Sequence, residues 1–244
     1  MIVWIDGSSG ASGDMLLGAL VGVGVPLEVL ASSIELLGLD LILTERTVQR
    51  GGLAATKVDV VTSAGEPVGP EHHHRGLSDV VAILDQLAEP IRSTVIAVFE
   101  RLAHAEAEVH GIDVEAVHFH EVGALDAIAD IVGVCAGFDH LRGQLAVTEV
   151  IASTLNLGSG QTRGAHGPIP IPAPAVLALL QGVAPVAAGP APFESTTPTG
   201  AALLADLVDR WGPMPEMTVE SVGMGAGGRD SDVVVNALRL ILGQ

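Results

Sequence analysis

The stretch Val117-His118-Phe119-His120-Glu121-Val122-Gly123-Ala124-Leu125-Asp126-Ala127-Ile128-Ala129-Asp130 gathers two imidazoles and three carboxylates in a chain of which only 16% is charged. On an extended backbone side chains alternate, so His118 and His120 project to the same side. Beyond Glu121 the apolar residues recur as Val122, Leu125, Ile128, Val132 and Cys135, the period of a helix. On that helix Asp126 and Asp130 are four apart, so their carboxylates lie one turn above the other. An extended H-F-H running into such a helix collects N and O ligands at one junction. Imidazole with carboxylate suits nickel, zinc or iron better than calcium. The same residues also read as surface histidines before a solvated helix face, and the spacing alone leaves both readings open.

Outward from this junction, strand and helix patterns alternate along the chain. Ile2–Ile5 is an apolar run ending at Asp6 and reads as a buried strand. The Gly/Ser segment Gly7–Asp14 follows, then a helical run from Met15 to Val21. A strand, a small-residue loop and a helix present free N–H groups at the helix start. Ser9, Gly10, Ser12 and Gly13 are therefore candidates for holding a phosphate, with the two glycines admitting close backbone approach. The loop is neither G-x-G-x-x-G nor a Walker sequence, and the alternative is a tight turn capped by Ser12 or Asp14. Pro26–Leu37 reads as a helix, and Leu41–Val48 with Lys57–Thr62 as a hairpin about Arg50-Gly51-Gly52. Residues 63–76 form the one linker, and its His72-His73-His74 reads either as a mobile metal-collecting loop or as a solvated one.

Leu77–Leu87 and Ile91–His110 read as paired helices parted at Glu89-Pro90. The second carries the stripe Ile91, Val95, Val98, Leu102, Ala105 and Val109, with Glu106 and His110 as an exposed i,i+4 pair. Gln144–Ala152 reads as a strand. His166–Pro174 is extended, its alternating prolines expected to forbid helix and ladder alike. Pro174 is placed to open the helix Ala175–Leu180. Thr196-Thr197-Pro198-Thr199-Gly200 opens another through Leu207, the hydroxyls of Thr197 and Thr199 capping it or meeting a phosphate. Strands at Met217–Val222 and Val233–Leu242 flank a glycine-rich segment, Gly223–Asp230. The pattern predicts an α/β fold, a mixed sheet flanked by helices with a flexible His-containing loop, as a single domain over 1–244 with 63–76 as its one candidate boundary.

Composition narrows the function. Hydrophobic residues make up 48% of the chain, enough for a sizeable core. Aromatics are 2%, with no tyrosine, so base-stacking platforms are missing. A net charge of −18 opposes nucleic acid and anionic lipid alike. Cys135 is the only cysteine, which excludes an intrachain disulfide and multi-thiolate metal sites; on its apolar stripe it reads as buried and inert. No secretory signal and no apolar run of membrane-spanning length is found, so a cytoplasmic protein is expected.

Six segments, in order, resemble the LarC family of nickel insertion proteins. They are S-G-A-S-G-D-M at Ser9–Met15, H-H-H-R-G-L at His72–Leu77, H-F-H-E-V-G-A at His118–Ala124, D-x-x-x-D-I-V-G at Asp126–Gly133, H-G-x-x-P-x-P-A-P-A at His166–Ala175 and T-P-T-G-A-A-L at Thr197–Leu203. The resemblance implies CTP-dependent insertion of nickel into a dithiolated pyridinium mononucleotide, forming a carbon–nickel bond between two sulfur ligands. That is a nickel chelatase, or cyclometallase, of the lyase class. It implies Ni(2+) held by His118, His120, Glu121, His72, His73, His74 and His166, and Asp14, Asp126 and Asp130 as catalytic carboxylates. Ser9, Gly10, Ser12, Gly13, Thr197 and Thr199 would bind the mononucleotide. Ala127 stands where family members often carry Ser. CTP with Mg(2+) or Mn(2+) is expected on a C-terminal domain that the 244 residues do not include, supplied by a separate chain. Two other readings are a non-catalytic nickel chaperone or storage protein and a metal-dependent phosphohydrolase. Self-association into a homo-oligomer is left open.

Overall fold

The computed structural model describes residues 1–68, 75–119, 123–164 and 167–244. The first half of the chain carries β1 (Ile2–Asp6), α1 (Gly13–Val23), α2 (Leu27–Glu35), β2 (Ile42–Arg50), β3 (Leu53–Val61), β4 (Arg75–Gly76), α3 (Leu77–Ile83), α4 (Ile91–His110) and β5 (His118–Phe119). The second carries α5 (Leu125–Gln144), β6 (Glu149–Ala152), β7 (Leu155–Asn156), β8 (Gly160–Gly164), β9 (Gly167–Ile171), α6 (Pro174–Leu180), β10 (Val186–Ala187), α7 (Pro198–Leu207), β11 (Arg210–Trp211), β12 (Val219–Ala226) and β13 (Ala237–Gly243). Seven strands form one sheet in the order β11-β6-β1-β13-β12-β3-β2. It is mixed: β1 pairs parallel with β6 but antiparallel with β13, and β12 pairs parallel with β3. The fold class is the α/β mixed sheet flanked by helices that the pattern predicts.

Alternation along the strands sets the layers. Val3 and Ile5 of β1 and Leu238, Leu240 and Leu242 of β13 face the main core beneath the helices. Trp4, Ile151 and Ile241 point the other way and form a small separate cluster with Ile2 and Met217. Helix α1 lies on the main-core side, packed on β12, β3 and β13, and α5 packs over α1 and α2. Met15, Leu16, Leu17 and Leu20 of α1 are almost wholly removed from water, each contributing about 1.5–3 kcal/mol of burial. Gly24, with φ of 111°, ends the helix in the left-handed conformation.

Close packing of α1 on the sheet explains one departure from the sequence reading. Gly223 and Gly225 were expected in a loop, yet both lie in β12. A Cβ at Gly223 would run into Ala19 O and one at Gly225 into Met15 O. Glycine here lets a helix backbone rest directly on a strand backbone.

Four further readings are corrected. Helix α5 is buried on nearly every side, from Ile128 through Phe138, so it is a central helix and has no broad solvated face. It also continues to Gln144, and the next strand begins at Glu149. The ladder between β8 and β9 includes Pro168, opposite Arg163, and Pro170, opposite Gln161. Prolines two apart share one side of the strand, so both missing donors fall on the edge that does not pair. Val109 is 39% exposed and lies off the α4 stripe. The Glu106–His110 pair forms at 3.3 Å.

Candidate functional site

Strand β1 delivers the chain to the site at its carboxyl end, where open α/β sheets hold ligands. Asp6 ends the strand; its carboxylate accepts from Ser8 N–H at 3.0 Å and pairs with Arg239. Burial would raise its pKa, but the bonds from Arg239 and Ser8 prevail and hold it below the usual range. Gly10 then turns with φ of +87°, and a Cβ there would stand 2.5 Å from Ser195 Cβ. Ala11 N–H donates to Ser195 O and Thr197 N–H to Ala11 O, each at 3.0 Å. This parallel bridge starts α1 and α7 side by side.

A cavity of about 250 Å³ opens between these two starts and that of α5, lined by Ser12, Gly13, Asp14, Asp126, Ala127, Asp130, Glu194, Thr197, Pro198 and Thr199. First-turn residues of three helices face it, so amide N–H groups and positive dipole ends point inward. Pro198 has no N–H and Gly200 N–H is taken by Thr197 Oγ1 at 3.2 Å, so Thr199 presents the α7 amide. Ser12 makes no cap bond; its hydroxyl donates instead to Asp14 Oδ1. Asp14 caps α1 by accepting from Met15 N–H at 2.8 Å.

The carboxylates are treated differently. Lys57 Nζ donates to Asp14 Oδ2 at 2.7 Å and approaches Asp59 at 3.3 Å, its own side chain only 7% exposed. Asp126 accepts from its neighbour Ala127 N–H at 2.9 Å at the outer end. Asp130 packs against the α1 backbone, where a Cβ on Gly13 would stand 2.6 Å from its own Cβ. Burial first, then the charges of Asp14 and Asp126, push its pKa well above the usual carboxylate range, and Lys57 only partly offsets them. One cavity thus holds an anchored carboxylate and another that resists ionisation.

Of the residues singled out by sequence, Ser12, Gly13, Asp14, Asp126, Asp130, Thr197 and Thr199 all line this cavity. Ser9 lies in the short 3₁₀ turn after β1 and Gly10 beyond it, outside the lining. At Gly10 and Gly13 the space of a side chain is occupied by Ser195 and Asp130, so both glycines serve the packing of the loop. His118 is exposed on β5. His72, His73, His74, His120, Glu121 and His166 lie outside the described residues. Their described flanks pair: Arg75 stands opposite Phe119, and Gly164 opposite Gly167. Among the described residues no group of three or more His, Cys, Asp or Glu is placed to hold a metal ion. The sequence reading missed Glu194 and Lys57. The latter had a signal, being the only lysine in the chain and lying inside a strand pattern.

Three helix starts and three aspartates around one cavity offer amide N–H groups to an anion and carboxylates to a cation. The model of the nickel insertion protein family matches residues 3–244, and the chain belongs to that family. A pyridinium-3,5-bisthiocarboxylic acid mononucleotide nickel insertion protein of Nocardioides sp. strain JS614 is 50% identical over 245 residues, 98% of this chain and 59% of that protein. Proteins with the same description from Geobacillus kaustophilus and Desulfitobacterium hafniense are 41% and 44% identical, over 100% and 99% of this chain. The chain spans about 60% of the length of these relatives. No solved structure matches it. Among the described residues no helix is long and apolar enough to cross a membrane.

Proposed function

We propose that this chain binds Ni(2+) and pyridinium-3,5-bisthiocarboxylic acid mononucleotide, and is the part of a nickel insertion enzyme that brings the two together. The observation that carries this reading is the meeting of Asp14, Asp126 and Asp130 with three helix starts around one cavity, in a chain of the nickel insertion family. Amide N–H groups suit the phosphate of a mononucleotide, while the carboxylates suit its cationic ring and the arriving metal. Nickel prefers soft donors in a square plane. Imidazole and carboxylate at His118, His120, Glu121, His72–His74 and His166 hold it less firmly than two sulfurs, so the ion passes to the substrate.

Forming a carbon–nickel bond releases the proton of the ring carbon. Asp130, whose proton affinity is raised by burial and by the charges of Asp14 and Asp126, is assigned as the acceptor: it enters the step as a carboxylate and leaves it as the acid. Asp14 stays anchored to Lys57 and fixes the α1 start, and Asp126 faces the ring from the next turn of α5. CTP with Mg(2+) or Mn(2+) is assigned to no residue of this chain; a C-terminal region of the family, joined or as a separate chain, supplies it.

The test supplies the chain with nickel, CTP and the dithiolated mononucleotide, with and without the C-terminal region of a relative, and follows product by absorbance and mass. The reading expects both ligands to bind the chain and product to form with that region present. His118→Ala should weaken nickel binding, and Asp130→Asn should abolish product while both ligands still bind. Nickel binding with no product from any combination would favour the chaperone or storage reading.

A further inference from the structure

Among the described residues, those lining the cavity include no cation. Four carboxylates face it, those of Asp14, Asp126, Asp130 and Glu194, while Lys57 behind them is already shared between Asp14 and Asp59. A phosphate can use the free amides, but it also needs a counter-charge at the rim. In a chain with 29 acidic and 11 basic residues, a cation that forms no ion pair is unusual. Among the described residues Arg163 and Arg229 are the only arginine or lysine side chains with no ion pair or hydrogen bond.

Two observations place Arg229 beside the cavity. The preceding residue, Gly228, passes over the α1 start, so that a Cβ there would lie 3.9 Å from Asp14 Oδ2. The Arg229 guanidinium stacks on Phe193 at 5.4 Å, and Phe193 adjoins the lining residue Glu194. Stacking occupies one face of the guanidinium and leaves its in-plane N–H groups for an anion.

The backbone beneath Arg229 is fixed. Arg50 donates to Gly227 O from Nε at 3.2 Å and Nη2 at 2.7 Å. Gly227 N–H donates to Asn236 O at 3.0 Å, and the buried Asn236 amide donates to Arg229 O at 2.8 Å. A Cβ on Gly227 would meet Asn236 Nδ2 at 2.6 Å, so glycine permits this clasp. The segment Gly223–Asp230, which the site had left without a role, divides into a strand that seats α1 and a clasped turn that presents an arginine.

Resting on the function proposed above, we infer that Arg229 binds the phosphate of the mononucleotide substrate at the mouth of the cavity. The guanidinium forks onto two phosphate oxygens while the Thr199 and Gly13 amides approach the same group from the helix starts. The ring end of the substrate is thereby turned toward Asp126 and Asp130.

Calorimetric titration with the dithiolated mononucleotide and with its riboside, which keeps the ring groups and lacks the phosphate, tests this. Arg229→Gln should weaken the mononucleotide by about 10- to 100-fold and leave the riboside unchanged. Arg229→Lys should recover part of the loss, and Phe193→Leu should weaken the mononucleotide by a smaller factor. Arg229 is exposed and its side chain makes no hydrogen bond or ion pair, so the Arg229 variants fold. Unchanged mononucleotide binding in Arg229→Gln overturns the inference and leaves the proposed function standing. Equal weakening of the riboside also overturns it, because the arginine would then act on the ring or on the fold. Failure of the unsubstituted protein to bind the mononucleotide removes the proposed function, and this inference with it.

Discussion

Replacing Gly13 by alanine tests the contact on which the cavity is built. Gly13 opens α1 with ordinary helical backbone, so alanine by itself would gain up to ~1 kcal/mol in helix propensity. The new Cβ would stand 2.6 Å from Asp130 Cβ and 2.8 Å from its Cγ. Since Cβ is fixed to the α5 backbone, relief requires α1 and α5 to part by about 1 Å. Parting is resisted one turn further on, where Gly133 rests on Leu17 and a Cβ would again be too close, at 2.8 Å. Overpacking of this kind costs about 1–3 kcal/mol, leaving a net loss of up to about 2 kcal/mol and a fall in Tm of up to roughly 8 °C for a chain of this length. Asp130→Gly removes the opposing Cβ, so in that background Gly13→Ala should be neutral or stabilising. Urea unfolding of the four proteins reads the coupling directly. An equal effect of Gly13→Ala in both backgrounds, or a stabilising one in the unsubstituted protein, would refute the packing argument.

Other outcomes follow from the same site. Burial, then Asp14 and Asp126, raise the folded pKa of Asp130 well above the ordinary carboxylate range, so it costs stability as pH rises from the unfolded pKa toward the folded one. Asp130→Asn should therefore be more stable than the unsubstituted protein at pH 8 and equal to it near pH 3; urea midpoints that differ by the same amount at both would contradict this. Lys57→Met strands Asp14 beside Asp59 and Asp130 and should cost about 2–4 kcal/mol, a prediction sunk by an unfolding midpoint that does not move. Cys135 is buried in α5, and burial raises its thiol pKa far out of the reactive range. A maleimide should label it only after unfolding, and rapid labelling of the native protein would place it elsewhere.

Helix boundaries were legible where residues with special backbones mark them. Helix α4 runs from Ile91 to His110 because Pro90 precedes it and Gly111, at φ of 63°, accepts the left-handed turn. Pro174 opens α6 for a similar reason, its missing N–H falling where none is needed. The end of α5 carries no such mark: Leu145-Ala146-Val147 holds neither Gly nor Pro, and Ala146 takes φ of 51° unannounced. The strand was accordingly expected to begin too early. Local pattern also misplaced Gly223 and Gly225, because nothing near them in sequence tells of the helix that lies against them.

By itself the sequence determined the α/β class, the positions of most elements and the residue types able to bind phosphate and metal, since these depend on spacing along one segment. Tertiary structure alone decided that Ser12–Asp14, Asp126, Asp130, Thr197 and Thr199 surround one space. The Ala11–Thr196 bridge and the burial of α1 between the sheet and α5 set that meeting, and neither has a local signature. Tertiary structure also separated the carboxylates, because Lys57 bonds Asp14 at 2.7 Å while Asp130 is buried beside Asp14 and Asp126, whose charges outweigh what Lys57 offsets. A carboxylate's charge state depends on what lies within a few ångströms, and the chain brings those neighbours from far along its length.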